Sequence, residues 1–211
     1  ISFFLMTELQ KIVNKLPMHV ITAVTLLVVS MLTILSPQKS LAQELARDSA
    51  SVIMYHRFGE DRYPSTNIRI AQFEEHLELL TNGDYTVLPL PDIIETLQAG
   101  GTLPDRTVAI TIDDAYLSVY EQAWPRLKEL GLPFTIFVAT NPVEKNRRGY
   151  MSWDMLRELQ GEGVTIGSQT HTHPHLHRKS ADEVRQEITT SNQLFLEELG
   201  FRPELFAYPF G

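Results

Sequence analysis

Two stretches of this sequence carry residue types that do chemistry. Thr111-Ile112-Asp113-Asp114-Ala115-Tyr116 sets two carboxylates side by side. Such neighbours repel, a cation beside them relieves the repulsion, and unequal surroundings split their pKa values. Gly167-Ser168-Gln169-Thr170-His171-Thr172-His173-Pro174-His175-Leu176-His177 gathers four of the chain's seven histidines within seven residues. Neutral imidazole suits zinc and similar divalent ions. Each stretch alone has a plainer reading. Asp114 would cap a following helix with Asp113 solvated, and the histidines would form a hydrated loop that binds metal opportunistically.

The surrounding pattern decides between these readings. Ser51–Tyr55 is a short apolar run that predicts a buried strand. Phe73, Leu77 and Leu80 share one helical face, with Gly83 as a stop. Tyr85–Leu88 reads as a strand, and Pro91 opens a helix carrying Ile94 and Leu97 up to Gly100. Thr107–Ile112 is β-branched and reads as a central strand. A helix follows through Tyr120, Trp124, Leu127 and Leu130 to Gly131, and Pro125 kinks it or starts a new turn. Phe134–Ala139 is a strand, Ser152 caps a helix bearing Leu156 and Leu159, and Val164–Ser168 is a strand. Ser180 with Glu183 forms a capping box for a helix whose face is Val184, Ile188, Phe195 and Leu199, ending at Gly200. Leu205–Tyr208 is a last strand.

About six strands separated by helices imply a parallel α/β sheet, either a β/α barrel or an open doubly wound sheet. No strand is followed by a glycine-rich phosphate loop, so nucleotide binding has no support. In parallel folds, sites form where strands end at their C-termini. The Asp pair and the His cluster each stand at such an end, which favours a mononuclear Asp/His metal site over the plainer readings. The last strand runs into the chain end, so the reading is of an incomplete domain.

The 211 residues include 18 Lys+Arg against 26 Asp+Glu, a formal charge of −8, and no cysteine. That excludes disulfides, a thiol nucleophile and a Cys-ligated zinc, and the acidity argues against a nucleic-acid module. Near the N-terminus, Lys11 and Lys15 precede an uncharged apolar run, Val20–Leu35, followed by Ser40-Leu41-Ala42. Residues 1–42 read as a signal peptide cut after Ala42, or else as a membrane anchor. Residues 43–50 are then a linker and 51–211 the folded domain, extracytoplasmic in either case.

Together these motifs resemble the polysaccharide deacetylases, the NodB-homology or carbohydrate esterase family four domain. The resemblance runs from about Ser51 to Gly211. Thr111-Ile112-Asp113-Asp114-Ala115-Tyr116 looks like the family's first motif, Gly167–Leu176 like its second, and Phe206-Ala207-Tyr208-Pro209-Phe210-Gly211 like a variant of its third. Met54-Tyr55-His56-Arg57 and the Phe73 helix are similar to the branch of exported poly-N-acetylglucosamine deacetylases. The resemblance implies a distorted β/α barrel of the NodB-homology type, truncated at its C-terminus. It also implies metal-dependent removal of N-acetyl groups from an N-acetylated polysaccharide, with zinc as the default ion. By the same likeness Asp113 is the general base, Asp114 and His173 are metal ligands, and Tyr208 lines the substrate groove.

Three departures stand out. With Gly167-Ser168 and His173-Pro174 as anchors, the family's first motif-two histidine falls on Gln169, so Gln169 or His171 is the third ligand. Ala207 replaces the arginine that usually orients the base. The family's histidine general acid has no counterpart up to Gly211 unless His56 takes that role, and the plainer role for His56 is structural, at the barrel mouth. The alternative function is a catalytically silent carbohydrate-binding domain on the same scaffold.

Overall fold

The computed structural model describes residues 48–211. The signal or anchor segment 1–42 and linker residues 43–47 lie outside the described residues.

A parallel five-stranded sheet organises the fold. Its strands are β1 (Ser51–Tyr55), β4 (Thr86–Val87), β5 (Thr107–Asp113), β6 (Thr135–Val138) and β7 (Thr165–Ser168). Every residue of β5 is buried, as a β-branched run flanked on both edges should be. β1 lines one edge of β5 in register from Ser51↔Val108 to Tyr55↔Ile112. β4 and β6 divide the other edge, β4 beside Thr107 and Val108, β6 beside Thr111 to Asp113. β7 follows β6, with Val138 opposite Ser168. A small parallel ribbon pairs β2 (Arg57–Phe58) with β3 (Asn67–Ile68).

The helices follow their sequence signals. Helix α1 (Ile70–Asn82) buries Phe73, Leu77 and Leu80. Phe73 completes an aromatic cluster with Tyr55 and Phe58, centroids 5.4 and 4.7 Å away. In α2 (Leu90–Gln98) the buried residue is Ile93, one position from the expected Ile94. Pro125 starts a new turn: a π-helical turn at Val119–Ala123 gives way to α3 (Trp124–Glu129), with proline in its first turn. Helix α4 (Thr140–Glu144) has no signal in the hydrophobic pattern. Ser152 caps α5 (Trp153–Gly161) by accepting from Met155 N. The capping box of Ser180 and Glu183 starts α6 (Ala181–Leu199), and Gly200 ends it at φ 79°, where a side chain would be strained. Each such cap contributes about 1 kcal/mol.

The expected strand Leu205–Tyr208 is reduced to a single parallel bridge, Ser168↔Phe206. Ser168 N donates to Leu205 O and Ala207 N to Ser168 O, both at 2.9 Å. Beyond that, Pro209 cannot donate and the chain turns away. Gly167 is required at this junction. A Cβ there would lie 2.5 Å from the Phe137 ring and 3.2 Å from Leu205 O.

Candidate active site

Register brings the chemistry to one rim. Asp113 is the last residue of β5 and pairs with Phe137, while Gln169 N donates to Val138 O and so extends β7 by one residue. The chain leaves both strands through left-handed backbone at non-glycine residues: Asp114 (φ 74°) and Ala115 (φ 51°) after β5, Thr170 (φ 68°) and His173 (φ 57°) after β7. Each such residue costs about 1–2 kcal/mol, and concentrations of strain of this kind mark functional sites. Backbone bonds hold the conformation, with Asp114 N donating to Phe137 O and Met151 N to Ala115 O, both at 2.9 Å. Helical backbone resumes at Leu117, three residues on, so Asp114 is not its N-cap.

The two carboxylates therefore point to different surroundings. Asp113 is 7% exposed. Its Oδ2 accepts from Gln169 Nε2 at 3.3 Å and stands 3.9 Å from His56 Nε2. Burial pushes its pKa up from 3.8 to about 6; the nearby charge of Asp114 adds to the rise, and His56 and the Gln169 hydrogen bond oppose it. Asp114 Oδ1 lies 3.3 Å from His173 Nε2. The Tyr116 phenol also hydrogen-bonds Asp114, and burial, with that carboxylate's charge adding, pushes its pKa well above the ordinary value.

The four histidines part company. His173 turns into the cavity towards Asp114 and packs edge-on against Phe210, 4.7 Å between centroids. His175 stacks on the other part of Phe210 at 3.8 Å. His177 accepts from Arg178 Nε at 3.2 Å. His171, one of the two expected third ligands, is turned away from this cavity. Its Nδ1 lies 2.9 Å from Thr140 Oγ1, and its Nε2 faces Asn141 and Glu144, all on α4. Gln169, the other candidate, is 2% exposed and adjoins the site, with Nε2 on Asp113 and Oε1 buried without a hydrogen-bond partner.

A cavity of about 1020 Å³ opens over this rim. Asp113, Asp114, His56, Gln169 and His173 form its polar floor, and Val52, Met54, Tyr208 and Phe210 its apolar walls. Tyr208 and Phe210 are 68% and 63% exposed, with His175 stacked on one face of Phe210 and Phe206 edge-to-face with Tyr208. Ala207 lines the same wall and offers Asp113 no polar group.

Several supporting residues gave no motif in the sequence. The Glu187 carboxylate on α6 accepts from His171 N, Thr172 N and Thr172 Oγ1 at 3.0, 2.7 and 2.5 Å, and so fixes the histidine loop. On the other side, the Arg57 guanidinium stacks 3.3 Å from the Tyr116 ring and 3.9 Å from the Tyr63 ring, and bonds Glu60 at 2.8 Å. Glu60 accepts from Ser118 Oγ at 2.6 Å, which in turn accepts from Phe58 N. This network ties the segment after His56 to the segment after Asp114.

The donor set can be tested against a divalent ion. Two ligands of a tetrahedral ion with bonds of about 2.0–2.1 Å stand about 3.3 Å apart, the separation seen between Asp114 Oδ1 and His173 Nε2. That pair fits two corners of the coordination shell. Among the described residues no group of three or more His, Cys, Asp or Glu converges to supply the rest.

A family model described as polysaccharide deacetylase matches residues 100–211. YxkH of Bacillus subtilis is 25% identical over 160 residues, covering 76% of this chain and 56% of that protein. The poly-beta-1,6-N-acetyl-D-glucosamine N-deacetylase of Staphylococcus aureus is 26% identical over 183 residues, covering 78% of this chain and 60% of that protein. The structure of IcaB from Ammonifex degensii superposes with a TM-score of 0.68 at 27% identity, covering 78% of this chain and 75% of that one. The chain thus spans less than two thirds of the length of these two curated relatives.

Proposed function

Since the chain belongs to the polysaccharide deacetylase family, we propose that it takes part in metal-dependent removal of N-acetyl groups from an N-acetylated polysaccharide, of the poly-N-acetylglucosamine, chitin or peptidoglycan kind, outside the cytoplasm. The observation that carries this reading is the division of labour at the rim of β5. A buried carboxylate, Asp113, stands beside an Asp114–His173 pair spaced to share an ion, under a cavity walled by exposed aromatics. The apolar walls, and the N-acetylglucosamine polymer in the name of the Staphylococcus aureus relative, support the substrate class.

Asp114 and His173 would hold the ion, zinc by default. A divalent cation there would polarise the acetamide carbonyl and make water more acidic. Asp113 is the proton acceptor at Oδ2. Its pKa of about 6 leaves it ionised at neutral pH yet more basic than an ordinary carboxylate. Gln169 Nε2 donates to that same oxygen and orients the carboxylate. His56 faces Asp113 across the floor, where an imidazolium can protonate a departing nitrogen. Tyr208 and Phe210 present ring faces to sugar C–H groups. Residues 1–42 would direct export, which N-terminal sequencing of exported protein checks by a start at Gln43.

The deciding experiment measures bound metal by elemental analysis and acetate release from chitin oligomers and poly-N-acetylglucosamine. Asp114→Asn should lose the metal. Asp113→Asn should keep it and lose turnover. Equal metal loss in both would overturn the assignment of roles. A second reading, a carbohydrate-binding domain without turnover, draws on the lack, among the described residues, of a third His, Cys, Asp or Glu beside the pair. Binding of the same oligomers by zinc-loaded protein with no acetate released would favour it.

A further inference from the structure

Gln169 lines the same cavity as the proposed ligand pair, and we infer that it is not a third ligand: among the described residues, Asp114 and His173 alone hold the ion. This rests on the metal-site reading above and narrows it. The backbone of Gln169 is fixed by the sheet ladder through its bond to Val138 O at 3.0 Å, so the side chain has little freedom to approach from elsewhere. Its Nε2 is committed to Asp113 Oδ2. Its Oε1 is buried, without accessible surface and without a hydrogen-bond partner.

An ion in the open cavity needs ligand atoms that face the cavity. The side chains of Asp114 and His173 do, at 14% and 24% exposure. Gln169 Oε1 does not. Chemistry points the same way, because a neutral amide oxygen is a poorer zinc donor than imidazole. What Gln169 supplies is a neutral donor to Asp113, a carboxylate that Ala207, on the same wall, cannot reach with any polar group. Position 169 nevertheless adjoins the loop that carries both carboxylates. An imidazole there, stiffer and a better zinc donor than an amide oxygen, would turn a two-ligand site into a three-ligand one.

The test titrates zinc alone, by competition with a chromophoric chelator, into the wild-type chain and the variants Asp114→Asn, Gln169→Leu and Gln169→His. Asp114→Asn should weaken zinc by more than about tenfold, since even changes outside the ligand shell move metal affinity roughly 10–100-fold. Gln169→Leu should weaken zinc clearly less than Asp114→Asn does, because Gln169 hydrogen-bonds Asp113 and neither proposed ligand, and Gln169→His should tighten it by more than about tenfold. Circular dichroism checks folding, and Gln169→Met replaces the leucine variant if that one unfolds. A loss in Gln169→Leu as large as in Asp114→Asn makes Gln169 a ligand and overturns the inference. An unchanged Gln169→His overturns it too, because position 169 then lies out of reach. If neither the wild type nor Gln169→His binds zinc, and Asp114→Asn changes nothing, the metal-site reading itself fails and takes the inference with it.

Discussion

Asp113→Asn should make the metal-free protein more stable, and increasingly so as pH rises above about 4. Asp113 is buried at the end of β5, and burial is the largest cause that lifts its pKa from 3.8 to about 6. Between those values the folded chain keeps a proton that the unfolded chain has released. Stability therefore falls as pH rises through this window, and the deficit persists at higher pH. At about 1.36 kcal/mol per pKa unit the deficit reaches about 3 kcal/mol at pH 8 and is under about 1 kcal/mol at pH 4. Asparagine carries no charge to desolvate and can still accept from Gln169 Nε2. Urea denaturation in excess chelator, at pH 4 and pH 8, gives the difference between variant and wild type at each pH. Taking that difference cancels the titration of every group the substitution leaves alone. The expected result is a gain of about 2–3 kcal/mol at pH 8 that shrinks to under about 1 kcal/mol at pH 4. A gain of equal size at both pH values, or a loss at pH 8, would refute the claim that Asp113 is an uncompensated buried charge in the absence of metal.

Two further substitutions probe the supports of the site. Glu187→Ala removes the acceptor of two backbone N–H groups and a hydroxyl; it should cost about 1–3 kcal/mol by denaturant titration and weaken zinc roughly 10–100-fold by chelator competition, and unchanged zinc affinity would show that the histidine loop holds its shape unaided. Gly167→Ala forces a Cβ to within 2.5 Å of the Phe137 ring, so it should destabilise by about 1–3 kcal/mol, read as a lowered Tm.

Much of the fold was legible because its elements carry strong local signals. α1 and α6 repeat apolar residues at helical spacing and end at glycine, and β5 is an unbroken β-branched run. The misses have physical reasons. β2 and β3 are two residues each, too short for any period to show. The last strand was expected from composition alone, but its neighbour on the sheet is only Ser168, so one bridge is all it forms. In α2, Ile93 and Ile94 are adjacent, and a short helix does not reveal which of them faces the sheet.

The site was legible in its residue types and less so in their directions. Two carboxylates at the end of a buried strand must diverge, since successive side chains on an extended backbone face opposite ways. Asp114 then departs further by turning left-handed. After β7 the same alternation would put Gln169, His171 and His173 on one side. Left-handed turns at Thr170 and His173 break that alternation. Neither threonine nor histidine announces such a turn as glycine would. The information lies instead in distant residues. Glu187 accepts from the loop's own N–H groups, and Thr140 draws the His171 ring towards α4. His173 is thereby left as the one imidazole of the four that meets Asp114. The spacing of four histidines thus names the chemistry, while a carboxylate on a helix 14 residues beyond His173 (187 − 173 = 14) helps decide which of them performs it.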